Sequence, residues 1–108
     1  NRRMKMEYQS KLKDAQVDML FDAILCLNNQ EECYRFFEDL CTINEIKSLA
    51  QRLEVAIMLR KKHTYQEIAE KTGASTATIS RVNRSLLYGS DGYNLILDKL
   101  EKRKDSKL

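Results

Sequence analysis

One short stretch of the sequence carries side chains that could contact nucleic acid. It places small residues at Thr76, Ala77 and Ser80, followed by arginines at Arg81 and Arg84. With about 3.6 residues per turn, these five positions fall on one face of a helix. Small side chains would let that helix approach base edges closely, and the arginines could bind phosphates or guanine. The chemistry predicted is hydrogen bonding to duplex DNA.

The surrounding residues predict a helix-turn-helix over about 64–88 that would position this face. Thr64 and Glu67 have the spacing of a capping box, which begins a helix. Gly73 can adopt the left-handed conformation that ends a helix, and Ser75 can cap the next one. The expected inward positions are Ile68, Ala69, Ile79, Val82 and Leu86. Such a unit serves mostly to place its second helix in the major groove of DNA.

The residues alone leave two alternatives to DNA binding, a protein-interaction adaptor and an enzyme. Some helical hairpins only pack or dimerise, so the unit could be a protein-interaction adaptor that never binds DNA. An enzymatic function is poorly supported. The single histidine, His63, lies beside Lys61 and Lys62 at the predicted end of a helix, where a cation is favoured by the helix dipole, so it needs no catalytic role. No spacing of His, Cys and acidic residues indicates a nucleophile or a metal site, and no Gly-rich phosphate loop is present. We therefore predict no catalytic residue, no metal and no cofactor.

Composition predicts a single helical domain with a basic C-terminal part. The chain has 108 residues, no proline and only three glycines, and its apolar residues recur with a helical period. This combination predicts an all-α protein. The net charge is only +3, but residues 1–39 carry six positive and eight negative charges, whereas residues 40–108 carry thirteen and eight. A basic part that contains the helix-turn-helix suits a polyanionic partner.

Cysteine usage and hydropathy predict a cytoplasmic protein. Cys26, Cys33 and Cys41 lack the spacing of a metal site and lie in apolar runs, so we expect buried free thiols. The polar start of the sequence, Asn1–Lys13, does not resemble a secretion signal. No apolar run approaches the ~20 residues that span a bilayer, so we expect no membrane partner.

The helical pattern divides the chain into about six elements. We predict helices at about Gln9–Leu27, Gln30–Leu40, Ile43–Lys61, Tyr65–Thr72, Thr76–Tyr88 and Tyr93–Lys102. Thr42 and Glu45 predict a second capping box, at the start of the third helix. Residues 1–8 are expected to fray, and the charged tail Lys102–Leu108 is expected to be loose.

The first two helices, within residues 9–40, are predicted to mediate dimerisation. Their apolar faces are wider than a small monomer can cover, and a second copy would supply the missing surface. The side chains concerned are Phe21, Ile24, Leu25, Tyr34, Phe36 and Phe37. Helix-turn-helix dimers bind two half-sites about one helical turn, ~34 Å, apart.

The run CTINEIKSLAQRLEVAIMLRKKHTYQEIAEKTGASTATISRVNRSL, from Cys41 to Leu86, resembles the Trp repressor superfamily. Together with the preceding EECYRFFEDLCTINEI, it is especially similar to the Trp-repressor-like YerC/YecD group. The resemblance implies an intertwined all-α homodimer with DNA-binding transcription factor activity, and repression is the expected mode. It also implies that Gln66, Thr76, Ala77 and Ser80 approach the operator, where water can mediate base contacts.

The resemblance implies an effector site only in part. Arg52 and Arg81 match the two arginines that enclose the indole of the corepressor and hold its carboxylate, and Thr42 and Ser85 match other pocket positions. Three positions depart from the family pattern, namely Val82 in place of a glycine and Asp39 and Cys41 in place of leucines. Since a β-branched residue would fill the slot, and a charge would lie near an apolar ring, we expect poor tryptophan binding. Any small effector is expected to be anionic. Otherwise Arg52 would have a structural role, paired with Glu54 or an acidic residue of the partner.

Overall fold

The computed structural model describes residues 8–106, with side chains for residues 8–104, and is all-α over that range. Its six helices are α1 (Ala15–Leu25), α2 (Gln30–Leu40), α3 (Ile43–Arg60), α4 (Tyr65–Thr72), α5 (Thr76–Tyr88) and α6 (Gly92–Ser106). The predicted fold class and helix number are confirmed. In the described part of the chain, none of these helices combines the length and the apolar character needed to cross a bilayer.

The chain forms two compact units, one ending at Leu40 and one beginning at Cys41. In the first unit, the Asp14 side chain caps α1 by accepting a hydrogen bond from Val17 N at 2.8 Å. Asn29 begins α2 in the same way, because its side-chain oxygen accepts from Glu32 N at 2.9 Å. Asn29, which lies between the two predicted helices, therefore caps the second of them.

Two predicted helix ends are wrong. The first helix begins at Ala15 and not near Gln9, because Asp14 supplies the cap while Leu12 extends the apolar pattern beyond it. The last helix continues to Ser106, so the tail from Lys102 to that residue is helical and not loose. This stretch contains no proline or glycine, and its Arg103 and Lys104 suit the negative end of the helix dipole. The frayed start predicted for residues 1–8, apart from Tyr8, and the last two residues of the tail lie outside the described range.

The second unit, α3 to α6, is built around one apolar core. Its buried members come from all four helices and from the turn between α4 and α5. They are Val55, Ala56, Ile68, Ala74, Ile79, Val82 and Leu97. Ala69 and Leu86 pack against this core, so the predicted inward face of the helix-turn-helix is confirmed.

The end of α3 leads into the helix-turn-helix through a tight backbone turn. His63 N donates to Met58 O and Lys62 N donates to Leu59 O, which is the hydrogen-bond pattern of a Schellman motif. Lys62 occupies the left-handed position of this motif, with φ of 69°. Arg60 then joins α3 to α6, because its guanidinium lies 2.8 Å from the Asp98 carboxylate and also donates to Asn94 O at 3.3 Å.

The apolar side chains of α1 and α2 are only partly covered in the single chain, since neither helix contains a buried residue and Ile24, Phe36 and Phe37 are half-buried. The most exposed of them are Met19, Phe21, Leu25, Tyr34 and Leu40. The expectation of buried thiols is wrong for the chain on its own. Cys26 is exposed because it lies at the C-cap of α1, and Cys33 and Cys41 are only half-buried.

Candidate nucleic-acid interface

The predicted capping box of α4 is present and begins the helix at Tyr65. The Thr64 hydroxyl accepts from Glu67 N at 3.1 Å, and the Glu67 carboxylate accepts from Thr64 N at 2.8 Å. That backbone hydrogen bond, with the His63 ring at 3.3 Å as the second cause, lowers the pKa of Glu67 below its ordinary value of 4.5. His63 therefore faces a carboxylate at the start of α4, not simply the end of α3 as expected.

The turn between α4 and α5 is fixed by one glycine and two side chains. Gly73 has φ of 75°, the left-handed conformation predicted for it. Thr72 Oγ1 donates to Ile68 O at 2.7 Å and accepts from Ala74 N at 3.1 Å. From α3, Gln51 Nε2 donates to Thr72 O at 3.1 Å and so satisfies a carbonyl at the end of α4. These contacts hold α5 at a defined angle to α4.

The buried face of α5 anchors it to the rest of the unit. Ile79 is fully buried and Val82 is 1% exposed, and they share the core with the fully buried Ile68 of α4. At about 100° per residue, these two α5 positions lie opposite the arc that carries the small and basic residues. Packing on one side therefore fixes which side chains α5 presents on the other.

The outward face of α5 brings the predicted DNA-contacting residues together. Thr76, Ala77, Ser80, Arg81 and Arg84 span an arc of about 140° on the helix. All are exposed except Ser80, which is half-buried. A hydroxyl in that position is partly shielded by its neighbours, so it would reach a base only at close approach or through water.

The N-terminus of α5 suits an anionic partner. Ser75 caps the helix, with its Oγ accepting from Thr78 N at 3.1 Å, and no acidic residue lies in the first turn. The positive end of the helix dipole is therefore not offset by a carboxylate of its own first turn. Ser75 Oγ also donates to Thr78 Oγ1 at 3.1 Å, so this hydroxyl pair serves the cap and not the outward face.

Gln66 lies on the first turn of α4 and is exposed. It is one residue from Glu67, whose carboxylate is occupied by the capping box. Its amide can both donate and accept hydrogen bonds, which is what a phosphate or sugar contact requires. The structure leaves this side chain on the solvent side of the helix-turn-helix.

None of the cavities described for residues 8–104 is lined by all four predicted effector residues. Arg52 and Ser85 line an open cleft of about 500 Å³. Thr42 instead caps α3, where its hydroxyl accepts from Glu45 N, and Arg81 is exposed on α5. The cleft is completed by residues from α3, α6 and the turn before α6, namely Leu49, Leu53, Ser90, Gly92, Tyr93 and Ile96.

These other lining residues are not among the effector residues predicted from the sequence. The spacing of Tyr93 and Ile96 on the last helix was a usable signal, because residues three apart share a helix face. Among the residues that the structure describes, Arg52 forms no ion pair with Glu54, one of its two expected structural partners, and its Nη1 donates to Ser48 Oγ at 2.9 Å. Among the side chains described, no cluster of three His, Cys, Asp or Glu residues could hold a metal ion.

Known proteins resemble this chain in both sequence and structure. The family described as "Trp repressor protein" matches residues 15–101. The chain is a member of the Trp repressor family. This match covers α1 to α5 and most of α6, so the helix-turn-helix and the cleft beside it both fall within the family region.

Individual relatives place the chain in the YerC group of the Trp repressor family. It is 62% identical over 92 residues to the uncharacterized protein YerC of Bacillus subtilis (strain 168), covering 85% of this chain and 88% of that protein. A crystal structure of a TrpR-like protein from Eubacterium eligens ATCC 27750 is 65% identical with a TM-score of 0.82, covering 84% of this chain and 94% of that one. A candidate Trp repressor from Staphylococcus aureus is 60% identical with a TM-score of 0.81, covering 84% and 91%. The family has a regulator fold and is not a family of enzymes.

Proposed function

We propose that this Trp repressor family member is a sequence-specific transcriptional regulator, acting as a repressor on bacterial DNA in the cytoplasm. The observation that carries the proposal is the outward face of α5. It presents small residues at Thr76 and Ala77 near a capped N-terminus that lacks acidic residues, followed by exposed arginines at Arg81 and Arg84. Small groups can approach base edges, and cations can bind phosphates or guanine.

In this proposal the two helices of the motif divide the work. α5 enters the major groove, where Thr76, Ala77 and Ser80 read bases and the two arginines bind phosphate or a base edge. α4 lies across the backbone, with Gln66 and the capped N-terminus near phosphates. Ile68 of α4 and Ile79 of α5 belong to the same buried core, and this supports the proposal because the shared core holds the two helices in one fixed relation.

We propose that the regulator binds a palindromic operator as a homodimer. The exposed apolar side chains of α1 and α2 support this, since Met19 is 68% exposed and Leu25 is 82% exposed in the single chain. Surfaces of this kind mark interaction sites. Two copies related by a two-fold axis would present two α5 helices to half-sites about one helical turn apart.

We further propose that any effector of this regulator is a small anion with an apolar part, bound at the Arg52 cleft. Arg52 and Ser85 could hold a carboxylate there, beside the apolar surfaces of Leu53 and Tyr93. L-tryptophan is not the expected ligand, because Val82 is part of the core. Operator affinity measured with and without L-tryptophan should be the same, and a tenfold rise on its addition would contradict this assignment.

Selection of duplexes from a random pool by the purified protein tests the main proposal. A two-fold-symmetric motif with half-sites about one turn apart is the expected result. The affinity for that motif should also fall steeply as the salt concentration rises, because phosphate contacts release counterions. A protein-interaction adaptor would select no motif, and its apolar contacts would hardly respond to salt.

Thr76→Asp then tests the docking of α5. Aspartate in the first turn of a helix is favoured by the dipole, so the variant should fold normally and keep its oligomeric state. Its charge would face the phosphates, and we expect specific operator binding to be lost. Asn44→Asp is the matched control, since it adds the same charge in the exposed first turn of α3. If Thr76→Asp bound the operator as well as the parent protein, the proposed docking would be wrong.

A further inference from the structure

A second basic surface lies outside the reading face of α5. A cleft of about 320 Å³ between α3 and α6 is lined by Arg60, Lys61 and Lys104, with Glu101 beside them. Its floor is apolar, formed by Ile57, Leu97 and Leu100. The cleft therefore brings cations from two helices to one place, although they are more than 40 positions apart in the sequence.

The charges of this cleft are only partly balanced. The guanidinium of Arg60 lies 2.8 Å from the Asp98 carboxylate and 3.7 Å from that of Glu101. Those two acidic groups are thus already shared by one arginine. Lys61 and Lys104 are exposed, and neither forms an ion pair with the side chains described for this chain. Two lysines thus remain for an anionic partner.

A third lysine, Lys62, follows Lys61 directly in the sequence. Its φ of 69° is a conformation that costs ordinary residues energy and that glycine adopts freely. Lys62 therefore holds its charged side chain next to Lys61, outside the cleft, in a backbone conformation that is unfavourable for lysine. Asp91 has a similar φ of 67°, so the backbone conformation by itself assigns no role to Lys62, which enters the argument through the cation that it places beside Lys61.

The position of these lysines along the chain relates them to the proposed docking. Lys61 lies three residues before Thr64, the cap of α4. Three residues span at most about 10 Å, so Lys61 and Lys62 lie within that distance of the α4 N-terminus. Lys104 lines the same cleft as Lys61 and so belongs to the same surface. In a helix-turn-helix complex the first helix crosses the DNA backbone, and the proposed docking puts the N-terminus of α4 near phosphates.

We propose that Lys61, Lys62 and Lys104 form a second DNA contact, the flank patch. It binds phosphates outside the base pairs that α5 reads, and so extends the footprint of the regulator along the duplex. This inference rests on the proposed function, because the geometry assumes that α4 lies on the backbone. The patch would add affinity without sequence preference, since phosphates carry no base identity.

Duplex length separates the flank patch from the reading face. Binding of the parent protein is measured by fluorescence anisotropy on two duplexes, the selected operator alone and the operator with flanking base pairs on both sides. The longer duplex should bind more tightly. Lys104→Gln should lose about 30-fold in affinity on the longer duplex at 0.15 M salt, with a salt slope reduced by about 1.8, as expected for the loss of one phosphate contact in each protomer of the dimer. On the shorter duplex it should match the parent protein.

Two further variants keep the result interpretable. Lys99→Gln removes the same charge from α6 at an exposed position that does not line the cleft, and it should bind both duplexes like the parent protein. Lys62→Gly should raise the thermal unfolding midpoint by relieving the left-handed backbone, yet weaken binding to the longer duplex. Higher stability with lower affinity would exclude misfolding as the cause.

The outcomes distinguish the flank patch from the proposed function itself. If the parent protein binds the operator specifically but Lys104→Gln and Lys62→Gly bind the longer duplex as tightly as it does, the flank patch is overturned alone. An equal loss for Lys99→Gln would also overturn it, because only the total charge would then matter. If the parent protein binds neither duplex specifically, the proposed function fails and the patch fails with it.

Discussion

Two glycines in the helix-turn-helix region should respond differently to the same substitution. Gly73 has φ of 75°, and a Cβ built there would lie no closer than 4.0 Å to its nearest neighbour, Gln51 Nε2. The space is sufficient, so Gly73→Ala carries only the conformational cost of about 1–2 kcal/mol. The lower entropy of the unfolded alanine chain offsets about 0.4–1 kcal/mol of this. We expect a net loss of about 1 kcal/mol.

Gly89 at the end of α5 presents the opposite situation. Its φ of −85° is open to any residue, but an added Cβ would lie 2.5 Å from Ser85 O and 3.0 Å from Ser85 Cα. Both are backbone atoms of α5, so the last turn of that helix must move. Gly89→Ala should therefore cost more than Gly73→Ala, by a steric mechanism that no change of rotamer can relieve.

Thermal unfolding at equal protein concentration measures both effects. For a chain of this size, about 1 kcal/mol corresponds to a fall in Tm of roughly 4–8 °C for Gly73→Ala. Gly73→Asn serves as a control, because asparagine tolerates the left-handed region, and it should recover part of the loss. The reasoning would be refuted if Gly89→Ala proved as stable as the parent protein, or if Gly73→Asn proved no better than Gly73→Ala.

Two further predictions concern the support of α5. Because the pKa of Glu67 is lowered in the folded protein, its carboxylate adds to the free energy of unfolding at any pH above 4.5. This contribution is lost as the pH falls through the lowered pKa of the folded state. Glu67→Gln should therefore lower the free energy of unfolding at neutral pH and make it less dependent on pH below 4.5. Urea unfolding measured over a series of pH values tests this. If the free energies of the two proteins fell in parallel as the pH was lowered, the prediction would be contradicted. Ile79→Ala should cost about 2–5 kcal/mol, because Ile79 is fully buried. Leu87→Ala is its control on the same helix, at a side chain that is 63% exposed, and equal losses would show that the assigned core is wrong.

The helix-turn-helix was predictable because its signals are local and complete. α4 and α5 begin and end at the predicted residues, with the caps at Thr64 and Ser75 and the left-handed Gly73 all present. Each of these signals acts within about four residues, so one sequence suffices to detect it. The start of α1 differs from the prediction although Asp14 is also a local cap signal, because the apolar Leu12 before it extends the helical pattern beyond the true helix start.

Contacts between distant residues could not be predicted from periodicity. Arg60 pairs with Asp98 across 38 positions, and Arg52 and Ser85 meet at one cleft. A helical repeat shows which face is apolar, but not which neighbour that face will meet. The left-handed Lys62 was also hidden, because the sequence offers no glycine or asparagine at that place to indicate it.

The packing of Val82 bears on how this regulator would be controlled. By the resemblance, a ligand in the Trp repressor lies beside a glycine at this position, whereas here the side chain is 1% exposed and packs in the core with Ile79. The position of α5 is therefore set by the chain itself. A ligand at the Arg52 cleft would contact α5 only through Ser85, near the C-terminal end of that helix. A ligand shifts the equilibrium between two conformations only as far as it binds one of them more tightly than the other. A ligand in this cleft could therefore adjust the affinity for DNA, but α5 would not need it in order to bind DNA.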